Sequence, residues 1–173
     1  MKKVVITGPE SSGKSTLTKE LAGFYGALFF PEYARIYVEN LNRKYTYADV
    51  EYIAERQIKT LSGNYYGKTE NYVFFDTGLI ITKLWFEIVF KKVPDYLLEA
   101  IENIKIDCYL LCSPDLPWIP DNVRENGGEE RMILFEKYKS ELENYGFKYF
   151  IIKGKGSERL SCATRYLSSA YCL

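Results

Sequence analysis

The stretch KKVVITGPESSGKSTL, residues 2–17, runs from an apolar segment into a loop of glycines and hydroxyls, then into a helical pattern. Gly8, Gly13, Lys14 and Ser15 stand in it at the spacing G-x-x-x-x-G-K-[ST]. An anion needs donors that do not have to move. A glycine-rich turn feeding a helix N-terminus supplies backbone N–H groups and the positive end of the helix dipole. Gly8, Glu10, Ser11, Ser12, Gly13, Lys14, Ser15 and Thr16 are therefore the candidate contacts to a nucleoside triphosphate. In such a loop the lysine reaches the β- and γ-phosphates and the hydroxyl after it ligates Mg²⁺. The expectation is a P-loop NTPase that binds ATP or GTP with Mg²⁺.

Outward from this loop, short apolar runs alternate with helical patterns, the signature of an α/β domain with a mostly parallel sheet. Strands are expected at residues 3–7, 27–30, 72–75, 106–112 and 148–152. Leu17, Leu21 and Ala22 give the first helix a core face. Thr46 with Asp49 reads as the start of a capped helix whose apolar face is Val50, Ile53, Ala54, Ile58 and Leu61. Residues 79–90 are apolar on most sides and are expected to be buried. Further helices are expected around Leu134 and Tyr138 and from about 158 to 170. With no repeats or linkers, residues 1–173 read as a single domain with a lid-like loop at about 113–131.

Composition narrows the function. The 173 residues carry 23 basic and 23 acidic side chains, so nothing attracts nucleic acid or an anionic membrane. A small-molecule partner is expected, in the cytoplasm, since the start is no secretion signal and no apolar run reaches membrane-spanning length. The chain has four cysteines without a C-x-x-C pair and no histidine, which argues against a zinc site. Cys108 and Cys112 read as buried thiols. The sixteen tyrosines and ten phenylalanines read mainly as packing. Oligomeric state is not legible.

Charged residues fall just past the strand ends, where open α/β sheets bind ligands. Glu32 and Arg35 follow the second strand in PEYARIY, and Asp76 ends the third in VFFDT. An aspartate there holds Mg²⁺ or takes a proton from an attacking hydroxyl, or else caps a helix. Arg124 and Arg131 sit in the lid-like loop, where arginines neutralise charge spread over a transferred phosphoryl group. Gly154-Lys155-Gly156-Ser157 reads either as a simple turn or as one that borders an adenine. The guanine-reading sequence N-K-x-D is absent, and the chain is short for a motor, which leaves a small-molecule kinase.

Together GPESSGKSTL, PEYAR, FFDT followed by ITKLW, and PDLPWIPDNVREN with Arg131 resemble the ribosylnicotinamide kinases. These are the kinase domain of NadR-type proteins and their stand-alone relatives. The resemblance runs from residue 2 to about 159. It implies a nucleoside-monophosphate-kinase-like fold, a parallel five-stranded sheet flanked by helices. It also implies transfer of the ATP γ-phosphate to the 5′-hydroxyl of nicotinamide riboside, giving nicotinamide mononucleotide. Many relatives carry a nucleotidylyltransferase domain, and some a DNA-binding domain, ahead of the kinase; with the first strand at residue 3, neither is expected here.

Carried over by position, the resemblance gives Lys14, Asp76, Arg124 and Arg131 catalytic roles and Ser15 and Asp76 the metal. Glu32, Tyr33, Arg35, Gln57, Trp118 and Asp121 match positions around the riboside. Trp118 is either a stacking surface for the pyridinium ring or a ring that packs the lid onto the core. The family commonly has Asp-Thr-Asp where this chain has Asp76-Thr77-Gly78. Alternative readings are a deoxynucleoside or other nucleoside kinase of the same fold, an ATPase with its own acceptor, and a non-catalytic regulator that senses a pyridine nucleotide. Intact Lys14, Ser15 and Asp76 favour turnover.

Overall fold

The computed structural model describes residues 1–65, 71–119 and 129–171. Its five strands are β1 (Lys2–Thr7), β2 (Leu28–Phe30), β3 (Tyr72–Asp76), β4 (Cys108–Cys112) and β5 (Tyr149–Ile152). They form one parallel sheet in the order β2-β3-β1-β4-β5. Buried on both faces, β3 and β4 have no exposed position, and Val4, Val5, Ile6 and Thr7 complete the middle of the sheet in β1. Parallel strands covered by helices on both sides read as near-continuous apolar runs. The strand ends expected from sequence lie within two residues of those observed.

Side-chain alternation divides the core in two. Val5, Val73, Phe75, Tyr109 and Leu111 face α3 (Tyr47–Ser62), α4 (Leu79–Trp85), α5 (Asp95–Asn103) and α6 (Glu130–Asn144). Val4, Ile6, Phe74, Leu110 and Cys112 face α1 (Lys14–Tyr25) and α7 (Ser157–Tyr171). Each fully buried Leu, Ile or Phe contributes about 1.5–3 kcal/mol. An exposed ion pair such as Arg35–Glu39 contributes about 0–1 kcal/mol. The sheet core therefore fixes where the strand ends, and the loops after them, stand.

Thr46 and Asp49 cap α3 as expected: the Thr46 N–H and hydroxyl both donate to the Asp49 carboxylate, at 2.7 Å each. Arg43 also donates to it, at 2.6 and 2.9 Å, and holds that carboxyl well below the usual range together with the Thr46 bonds. Two helices, α5 and α2 (Tyr33–Glu39), were not anticipated; the two turns of α2 carry too short a pattern to show a period. The expected buried helix over 79–90 is corrected as well. It ends at Trp85 and continues as a π-helical turn, Phe86–Phe90, in which Ile88 and Val89 are exposed. A π turn inserts one residue and so rotates the side chains beyond it out of the core.

Candidate active site

Helix α1 begins without a side-chain cap and without an acid in its first turn. Its N-cap is Gly13, in the left-handed region at φ 76°. The N–H groups that a cap would satisfy are left for an anion. Gly8 has no substitute: its φ is 138°, and a Cβ there would stand 2.6 Å from the Cys112 carbonyl oxygen. Within the loop the Ser12 hydroxyl and the Lys14 ammonium both donate to the Pro9 carbonyl, at 2.7 and 2.9 Å.

The loop forms one end of a cleft of about 310 Å³. Every residue proposed for the triphosphate lines it, from Gly8 through Glu10–Thr16, as do Glu32 and Arg35. The rest of the lining includes Val38 of α2, Tyr45, Trp85, Ile88 and Val89 of the α4–π segment, and Leu134 and Tyr138 of α6.

Asp76 ends β3, 5% exposed. Burial pushes its carboxyl up from the ordinary value, and the Ser15 hydroxyl, Lys14, Lys19 and the Glu32 backbone pull it back. Its Oδ1 is buried and has no hydrogen-bond partner among the described residues. An acceptor left over beside Ser15 fits a divalent cation. No group of three or more His, Cys, Asp or Glu side chains is placed to hold a metal among the described residues. A cation here therefore relies on phosphate oxygens and water to complete its shell.

The next residue, Thr77, is strained. Its φ is 74°, an outlier for a β-branched residue, and its N–H donates to the Ile6 carbonyl at 2.9 Å. Such outliers collect where the surroundings over-determine a functional geometry. Gly78 is closely packed: a Cβ there would stand 2.9 Å from Val5 Cγ1.

Glu32 is the N-cap of α2. Burial raises its carboxyl, Lys14 and Arg35 lower it, and Asp76 and Glu10 raise it further. Glu32 thus feels both Lys14 and Asp76; Glu32 and Lys14 line the cleft, and Asp76 stands outside its lining. Arg35 lines the cleft while its Nε donates to Glu39 at 2.8 Å.

Other expected site residues stand elsewhere. Gln57 is buried in α3, 3.5 Å from the Thr77 hydroxyl and accepting from Thr82; it reaches the cleft only through Thr82, which lines it. Tyr33 packs with Tyr37 and Tyr52 between α2 and α3, under the Arg56 guanidinium, and is not in the cleft wall. Trp118 is half-buried and outside the wall too. Arg131 is 6% exposed and donates to the Leu116 carbonyl at 2.9 Å and the Ser11 carbonyl at 3.2 Å. It ties the root of the lid-like loop to the P-loop. Asp121 and Arg124 lie outside the described residues.

Sequence reasoning missed Tyr45, Trp85 and Tyr138 in the wall. It also missed Arg159, 3% exposed, which donates to the carbonyls of Ile152 and Ser113 at 3.1 Å and pairs with Asp115. Asp115 in turn accepts from the Gly154 N–H at 2.8 Å, joining the loops after β4 and β5 beneath the P-loop.

A phosphate-binding loop at the switch point of a parallel sheet, facing a cleft with carboxylates past the neighbouring strands, defines a P-loop NTPase of the kinase fold. The chain belongs to the AAA-domain family, whose profile matches residues 3–159. It is 26% identical over 145 residues to the trifunctional NAD biosynthesis/regulator protein NadR of Salmonella typhimurium (strain LT2), covering 80% of this chain and 35% of that protein. To NadR of Escherichia coli (strain K12) it is 27% identical over 130 residues, 72% of this chain and 31% of that one. The chain thus spans about a third of the length of these curated relatives. A crystal structure of NadR protein in complex with NR matches 99% of this chain and 52% of its own, with TM-score 0.84 and 24% identity. Deoxyadenosine kinase from M. mycoides matches 96% and 98%, with TM-score 0.65 and 16% identity. The resemblance to NadR-type proteins seen in the motifs thus extends through the fold. Among the described residues no helix is long and apolar enough to cross a membrane.

Proposed function

We propose that the chain is a nucleoside kinase that transfers the ATP γ-phosphate to the 5′-hydroxyl of nicotinamide riboside, giving nicotinamide mononucleotide and ADP. The observation that carries it is that Glu32 lines one cleft with Lys14 and the P-loop, with Asp76, buried at the end of β3, close enough to perturb the Glu32 carboxyl. The similarity to NadR, and the NR bound in a structure of that fold, support the choice of acceptor.

In this reading the open N–H groups of α1 and the Lys14 ammonium hold the triphosphate in line with the acceptor. Ser15 and Asp76 would hold Mg²⁺, which would neutralise part of the phosphate charge. Glu32, raised by burial, accepts the proton of the attacking hydroxyl; a carboxyl moved toward the working pH is the better base. The apolar wall keeps water from competing for the phosphoryl group. Arg131 acts as a positioning residue through the Ser11 carbonyl, and Asp121 and Arg124 are proposed to complete the acceptor and phosphate contacts. Incubation with Mg-ATP and a panel of nucleosides tests the reading: it predicts nicotinamide mononucleotide and ADP in equal amounts, with nicotinamide riboside preferred. Equal transfer to a deoxynucleoside replaces the acceptor and keeps the reaction class.

A further inference from the structure

The part of the cleft lining outside the P-loop is more than apolar filling. Trp85 stands at the last residue of α4, half-buried, where the π-helical turn begins. Tyr45 meets it edge to face, with ring centroids 4.8 Å apart at an interplanar angle of 78°. Both line the cleft, and Trp118 does not. Tyr45 also meets Phe90 edge to face, so the pair is anchored at the end of the same turn. Val38, Ile88 and Val89 beside it are apolar. Glu10 and Glu32 supply negative charge in the same cleft, close enough that Glu10 raises the Glu32 carboxyl. An indole in a cleft that also holds carboxylates attracts a flat cation more strongly than a flat neutral ring.

We propose that Trp85, braced by Tyr45, is the specificity-determining ring of the acceptor subsite, and that it selects nucleosides whose base is a planar cation. The proposal rests on the kinase reading for which end of the cleft takes the acceptor, but its test does not require turnover. The chain has two tryptophans, so Trp118→Phe and Trp85→Phe each leave one indole. Nicotinamide riboside is a pyridinium and quenches an indole on which it stacks. In Trp118→Phe, which leaves the cleft wall unaltered, added nicotinamide riboside should quench the emission saturably. Uridine, a neutral nucleoside, should need about a tenfold higher concentration to compete, since a tenfold ratio is ~1.4 kcal/mol and within the cation–π range. In Trp85→Phe the remaining emission should not fall saturably.

Quenching of Trp118 in the Trp85→Phe protein, no quenching in Trp118→Phe, or equal competition by uridine overturns the proposal. Activity gives a second readout: Trp85→Leu should raise KM for nicotinamide riboside about tenfold and leave kcat within about twofold. An unchanged KM overturns it. A wild-type protein that shows the saturable quench but transfers no phosphate sinks the kinase reading and leaves the ring assignment standing.

Discussion

The two ends of the cleft are built in opposite ways. The phosphate end is one contiguous stretch, residues 8–16, and almost everything it needs is local: a strand to launch it, glycines to turn it, and a helix without a cap to receive it. The acceptor wall is gathered from α2, a loop residue, the α4–π segment and α6, none of which carries a motif for a ring. The first end is set by short-range chemistry, the second by how helices pack on the sheet. A single substitution therefore has to act differently at each end.

The largest effect belongs to the contiguous end. Lys14→Ala removes the charge facing the transferred phosphoryl group and should lower turnover by about 10³-fold or more, measured as ADP release. Turnover near wild type would mean that the loop binds without acting. Asp76→Asn, at the end of β3, should keep ATP binding and lower kcat by roughly 10²-fold, the scale of losing one group that stabilises transferred charge. An unchanged kcat would leave Asp76 as a structural group at the end of β3.

Glu32 offers a subtler test because its carboxyl is raised above 4.5, first by burial. The ionised form is the base, so kcat/KM should rise with pH along an acid limb displaced above 4.5, and Glu32→Gln should remove that limb. Stability has the opposite sign. Below 4.5 the carboxyl is protonated in both folded and unfolded states, and stability falls as pH rises through the elevated folded value. Glu32→Gln should thus raise Tm by about 2–4 °C at about pH 7, the scale of ~1 kcal/mol in a domain of this size, and give no gain at about pH 4. A lower Tm at neutral pH would show that Glu32 supports the fold instead. The smallest effect lies away from both ends. Thr46→Ala should cost about 1 kcal/mol in a denaturant melt and leave kcat alone, because it disturbs only the cap of α3.

The same contrast explains what could be read from the chain. All five strands and the parallel sheet were legible, because strands buried on both faces betray themselves as apolar runs. So were the phosphate loop and the capping box at Thr46 and Asp49. The acceptor wall was not. Trp85 lies in a stretch that reads as apolar on most sides and buried, while the π turn after it carries Ile88 and Val89 in the cleft lining. Trp118 drew attention because the resemblance places it around the riboside, and the structure leaves it outside the wall. Arg131 was expected to reach phosphate; its hydrogen bonds to Leu116 and Ser11 depend on packing of α6 that no local spacing encodes. Likewise the strain at Thr77 comes from the bond of its N–H to Ile6 on the neighbouring strand.

The central claim is that a triphosphate held by residues 8–16 gives its last phosphate to a nucleoside seated against the rest of the cleft lining. The most direct measurement tracks ADP and nucleoside monophosphate together when the protein is mixed with Mg-ATP and nicotinamide riboside. The account predicts the two products in equal amounts, with a rate that depends on the nucleoside. ADP released at the same rate with and without it, and no nicotinamide mononucleotide, would contradict the account.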